Sequence, residues 1–138
     1  MLKSISMLRY IVAIGLFASA LVTSAQTQPT ALDDARSLVI KTIGAEKDAV
    51  AIVTTEKVVT VERINSNLNS SSHGARNNEA AVIGPIVAQA IGDKPEFKGV
   101  VVIRVQYLRR SSPGSKDGVV DTIEFRKDAG GKFQFHET

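Results

Sequence analysis

The longest β-branched run in the second half of the chain lies in residues 99–110, GVVVIRVQYLRR. Its four consecutive apolar residues, 100–103, read as strand buried on both faces. From Ile103 the run turns to alternation. Ile103, Val105 and Tyr107 then share one face, and Arg104 and Gln106 the other, because strand side chains repeat every two residues. A strand covered at its start and half-solvated at its end fits the interior of a one-sided sheet.

Upstream, Leu32, Ala35, Val39 and Ile43 recur at helical spacing and predict a helix over 31–43. Asp33 and Asp34 fall in its first turn, where the helix dipole favours acids. Gly44 is placed for the left-handed position after the last turn. Residues 49–64 are rich in Val, Ile and Thr, with no Asn-Gly or Asp-Gly pair. Two-residue hairpin loops favour such pairs, so the stretch reads as one long strand, bulged near Glu56 and Lys57. Residues 65–74, NSNLNSSSHG, are the most turn-prone of the chain. A second helix follows over 75–91 on the stripe Ala80, Ile83, Ile86, Val87, Ala90 and Ile91. Pro85 inside it predicts a kink or break near 81–84, and Gly92 and Pro95 close it.

Beyond the loop at 111–118, Val119, Ile123 and Phe125 alternate with Thr122, Glu124 and Arg126 in a further strand. The turn at 128–131 leads to a last strand, in which Phe133 and Phe135 alternate with Gln134 and His136. The order is then α-β-α-β-β-β. The predicted fold is α+β: a two-layer sandwich with two helices packed on one face of a mixed four-stranded sheet. The second helix makes the right-handed crossover between parallel strands, and antiparallel hairpins follow.

Composition changes this picture mainly at the N-terminus. Lys3 and Arg9 precede the largely apolar run 11–22, IVAIGLFASALV, and Thr23-Ser24-Ala25 follows it. That is the layout of a signal peptide over 1–25. The run is shorter than the ~20 residues of a membrane span, so no retained span is expected. Residues 26–30 form a flexible leader and 31–138 a single domain. Cleavage removes two of the 17 Lys and Arg and none of the 14 acids. The mature charge is therefore +1, which speaks against a nucleic-acid partner. The chain has no cysteine, hence no disulfide, thiolate nucleophile or sulfur-ligated metal. A disulfide-free exported domain points to a bacterial periplasmic or secreted protein.

Candidate chemistry is sparse, and neither a cofactor nor a metal site is expected. Only two histidines occur, His73 and His136, too few for a zinc centre without further convergent ligands. At the start of the second helix, Ser72, His73 and Arg76 could hold an anion on free backbone donors or serve a small enzyme. A plain helix cap explains the same residues. No Gly-x-Ser-x-Gly elbow is present. Arg109, Arg110 and Lys116 bracket one loop as a possible anionic-partner contact. By strand parity, Arg104, Gln106, Glu124, Arg126 and His136 gather on the solvent face of the sheet. The leading expectation is a non-catalytic domain that recognises an envelope or secreted protein, or a glycan, through that face or an edge strand. One alternative is an enzyme or anion site at 65–79. Another is an apolar-ligand carrier with a gap between the Pro85-bearing helix and the sheet, which requires a cavity of several hundred Å3.

Overall fold

The computed structural model describes residues 31–111 and 118–137. The expected signal peptide and leader, and Lys116 in the loop, lie outside the described residues. Helix α1 spans Ala31–Ile43 and buries Ala35 and Val39. Gly44 follows it at φ +67°, and the Ala45 N–H donates to the Ile40 carbonyl at 3.1 Å. This is the long bond of a Schellman cap, and it needs the left-handed residue.

The segment 49–64 is not one strand. It forms an antiparallel hairpin of β1 (Val50–Thr54) and β2 (Val58–Ile64). Its two-residue loop has no positive φ at Glu56 or Lys57, so the usual glycine or asparagine is not required. Thr55 closes the loop: its N–H donates to the Val58 carbonyl at 2.8 Å, and its hydroxyl accepts the Val58 N–H at 3.2 Å. A side-chain oxygen thus replaces a backbone acceptor, which is why the turn carries no sequence signal.

Helix α2 spans His73–Ile91, with the Ser72 hydroxyl accepting the Ala75 N–H at 3.2 Å as its cap. It runs unbroken through Pro85. The proline leaves the Ala81 carbonyl without its helical donor, and Ala81 lies exposed, where solvent can supply one. Strands β3 (Val102–Arg109), β4 (Gly118–Lys127) and β5 (Phe133–His136) complete the domain. The sheet is five-stranded and mixed, in the order β1-β2-β3-β4-β5, and only β2 and β3 run parallel. The element order is therefore α-β-β-α-β-β-β and the class α+β, with five strands where the sequence predicted four.

The helices pack on each other and on the sheet. Val39, Ile83 and Val87 meet Val59, Val61, Ile103, Val105 and Ile123 in one core cluster. The run at 100–103 is not buried on both faces: Val100 and Ile103 are buried, but Val101 is 45% exposed. β3 begins only at Val102, and the Val101 N–H is spent on the Lys57 carbonyl at the hairpin turn. A bulge at Tyr107/Leu108 sets Tyr107 opposite Asp121 and Leu108 opposite Val119. It breaks strand parity, so Val119 is exposed while Val120 packs against the core. Among the described residues no helix is long and apolar enough to cross a membrane.

Candidate functional site

Three places on this frame concentrate side-chain chemistry. The first is a polar row on the helix side, at one end of the core. Register aligns Arg63, Tyr107 and Asp121 across β2, β3 and β4, beneath the first turns of α2. Arg63 Nε donates to Glu79 at 2.8 Å and its Nη2 to the Ser66 hydroxyl at 3.1 Å. The Tyr107 hydroxyl lies 3.0 Å from Glu79 Oε1 and 3.1 Å from the Arg76 carbonyl. Burial pushes the Tyr107 phenol far above its ordinary value, and the Glu79 carboxylate adds to the shift.

Arg76 Nε donates to Asp121 at 2.7 Å, and its Nη1 donates to the Leu68 and Ser71 carbonyls at 2.9 and 2.7 Å. His73 Nδ1 lies 2.6 Å from the same Asp121 oxygen. Burial alone would raise the Asp121 carboxyl, but Arg76, His73 and the Thr122 N–H outweigh it and hold the group below its ordinary value. Each polar group of the row therefore has a partner inside the protein. Of the residues expected at the helix start, Ser72 serves as cap, while His73 and Arg76 converge on Asp121. Asp121 itself is missed by the sequence pattern. It continues the apolar phase of Ile123 and Phe125, and only its polarity hints at a buried partner.

The second place is the opposite sheet face. There Arg104, Glu124 and His136 are aligned across β3, β4 and β5, with Gln106 and Arg126 in the flanking rows. Arg104 donates to Glu124 at 2.9 and 3.1 Å, and Arg126 donates to its other oxygen at 3.3 Å. Burial opposes ionisation of Glu124, yet the two guanidinium groups hold its carboxyl below its ordinary value. Between β2 and the residue after β3, Arg110 pairs with Glu62 at 3.6 Å.

The third is a groove of about 900 Å3 between the second half of α2, the loop that follows it and the β4–β5 hairpin. It lies on the helix side of the sheet, where Phe125 is buried beneath α2. Phe125 forms one wall under Gly84. A Cβ on Gly84 would stand 2.7 Å from the Phe125 ring, so only glycine lets helix and ring approach this closely. Phe135 packs edge-on against Phe125 at 6.0 Å yet stays 46% exposed. Phe133 and Phe97 complete the aromatic lining. Residues 31–138 contain only these four phenylalanines, and all four face the groove.

The charged lining is one-sided. Lys94, Lys98, Lys127 and Lys132 reach the groove against a single acid, Asp93. The sequence signal for this site was the Phe133/Phe135 alternation, which reads equally well as ordinary strand burial. Among the described residues no cluster of three or more His, Asp or Glu side chains could hold a metal ion. Comparisons with protein-family models, curated proteins and solved structures find no match to this chain.

Proposed function

We propose that this domain is a binding protein for a small apolar ligand, which it takes up in the groove beside α2. The observation that carries the reading is the gathering of every phenylalanine of residues 31–138 around one open space. A domain of this size gains most from putting its aromatics into the closed core, since each can bury ~150–250 Å2. Among the described residues Tyr107 and Phe125 are the buried aromatics, while Phe97 and Phe133 are only partly buried and Phe135 is 46% exposed. The volume of about 900 Å3 lies within the ~300–1,000 Å3 of small-molecule sites. The polar row under the first half of α2 braces the helix and spends its charges internally.

The export expected from residues 1–25 would suit the same role: cleavage after Ala25 would free the domain from its leader, and a carrier in the periplasm or outside the cell meets apolar molecules that water dissolves poorly. The sheet face carries a second reading, recognition of a protein or glycan through Arg104, Gln106, Glu124, Arg126 and His136. What favours it is the 54% exposure of the Arg126 side chain. What weakens it is Glu124, which already takes up both arginines. Titration of a neutral, environment-sensitive naphthylamine dye separates the two. Saturable fluorescence gain that Ala88→Trp abolishes and Arg104→Ala/Arg126→Ala leaves intact supports the groove. Absence of any saturable gain sinks it.

A further inference from the structure

The groove is polar at one end only, and the topology sets the direction. Gly84 sits on Phe125, and Phe135 pairs with Phe125 across β4 and β5, so this end is lined by helix, ring and ring. Moving along β4 from Phe125 leads to Lys127, which pairs with Phe133. Moving along α2 leads past Ile91 to Lys94 and Lys98. These two ends meet, since the Lys127 N–H donates to the Val101 carbonyl at 2.9 Å, just beyond Lys98. Four lysines therefore crowd the end away from Gly84. Resting on the proposal that the groove takes an apolar ligand, we infer that the ligand is a single-chain amphiphile with an anionic head, a long-chain carboxylate, held tail toward Phe125 and head toward the lysines.

Three observations support this. Four arginines elsewhere are matched to internal acids, Arg63 with Glu79, Arg76 with Asp121, Arg104 and Arg126 with Glu124. Among the described residues no lysine forms a salt bridge, and these four are the ones that line the groove. Against them stands one lining acid, Asp93; Asp128 is engaged by the Lys132 N–H at 2.9 Å, and Glu96 does not line the groove. Secondly, Lys127 Nζ stands 5.7 Å over the Phe133 ring, which holds a positive charge against the aromatic lining at this end of the groove. Thirdly, size selects one chain. A tail of about eighteen carbons fills about 500 Å3 if each methylene takes roughly the ~30 Å3 of a water molecule. Two such tails would exceed the space of about 900 Å3.

The test titrates the protein with a fluorescent eighteen-carbon polyene carboxylic acid and, separately, with its methyl ester. The acid should bind about tenfold tighter, equivalent to about 1.4 kcal/mol, and the advantage should shrink as salt rises. Lys94→Gln/Lys98→Gln/Lys127→Gln/Lys132→Gln should bring acid and ester together without changing ester affinity. An acid-to-ester preference of threefold or more that this variant removes supports the inference. A smaller preference, or one that survives the variant, overturns it while the neutral groove reading stands. Failure of the ester and of the neutral dye to bind at all removes that reading too. Ala88→Trp should abolish capture of both probes, and Phe135→Ser, at an exposed position, should weaken both where the tryptophan is not accommodated. Acid binding that is indifferent to both groove variants overturns the inference.

Discussion

Replacing Glu79 by Ala removes the acceptor shared by Arg63 and Tyr107. The tyrosine keeps the Arg76 carbonyl at 3.1 Å, so its hydroxyl is not orphaned. Arg63 is the loser. It is 5% exposed and retains only neutral acceptors, the Ser66 hydroxyl at 3.1 Å and the Ala49 carbonyl at 3.3 Å. Stranding one member of a buried pair costs ~3–5 kcal/mol. The two surviving hydrogen bonds put this case at the low end, about 3 kcal/mol. Unfolding entropy near ~2.1 cal/mol/K per residue gives about 0.23 kcal/mol/K for roughly 110 residues, so Tm should fall by about 13 °C. Glu124→Ala is the comparator, because it removes two arginine contacts of the same kind on the open face. Its partners are half-exposed, and exposed pairs are worth ~0–1 kcal/mol, a shift of about 4 °C or less. Circular dichroism melts of both variants read the difference. The double variant Arg63→Met/Glu79→Leu should recover most of the Glu79→Ala loss, since it leaves no stranded charge. Equal losses for Glu79→Ala and Glu124→Ala would refute the reasoning from burial.

Three further outcomes follow from the same geometry. Ile103→Asp places an unpaired carboxylate at a fully buried core position and should abolish the cooperative melt, whereas Arg104→Ala on the opposite face should cost about 1 kcal/mol or less; similar melts would show that both faces are covered. Gly84→Ala gains ~0.5–1 kcal/mol of helix propensity but drives a Cβ to 2.7 Å from the Phe125 ring, so a net loss is expected from ~1–3 kcal/mol of overpacking, and a raised urea midpoint would contradict the close approach. Asp121 is held below its ordinary value in the folded protein; its contribution is full above the unfolded carboxylate range near ~4 and drains as pH falls through the lowered folded value, so urea midpoints between neutral and acid pH should change less in Asp121→Asn than in the parent.

How much of this was legible beforehand depended on whether a local rule had one meaning. Helix α1 announces itself because its apolar spacing, its acidic first turn and Gly44 agree. The alternation of β3 and β4 read correctly wherever the ladder is regular, which sorts Ile103 from Arg104 and Ile123 from Glu124. It failed at Val119, because a bulge is a property of the pair of strands and one strand alone does not encode it. The β1–β2 turn was hidden because Thr55 closes it with a hydroxyl, so the residues that usually mark a tight hairpin are absent. Arg76 and His73 were visible at a helix start, but their destination, Asp121, lies 45 and 48 residues away in a strand whose neighbours are apolar. The groove was least legible. Phe97, Phe125, Phe133 and Phe135 each look like core residues, and only the tertiary arrangement leaves them bordering open space.

A carrier role for the groove requires those rings to touch the ligand. The protein carrying labelled phenylalanine, mixed with the unlabelled polyene carboxylate, gives ring-to-ligand nuclear Overhauser contacts that report this directly. Phe125 and Phe135 should show contacts to the terminal methyl end of the chain, and Phe133 to the carbons next to the head. Ligand that binds without touching these rings, with chemical-shift changes confined to Arg104, Gln106 and Glu124, would contradict the account and move recognition to the open sheet face.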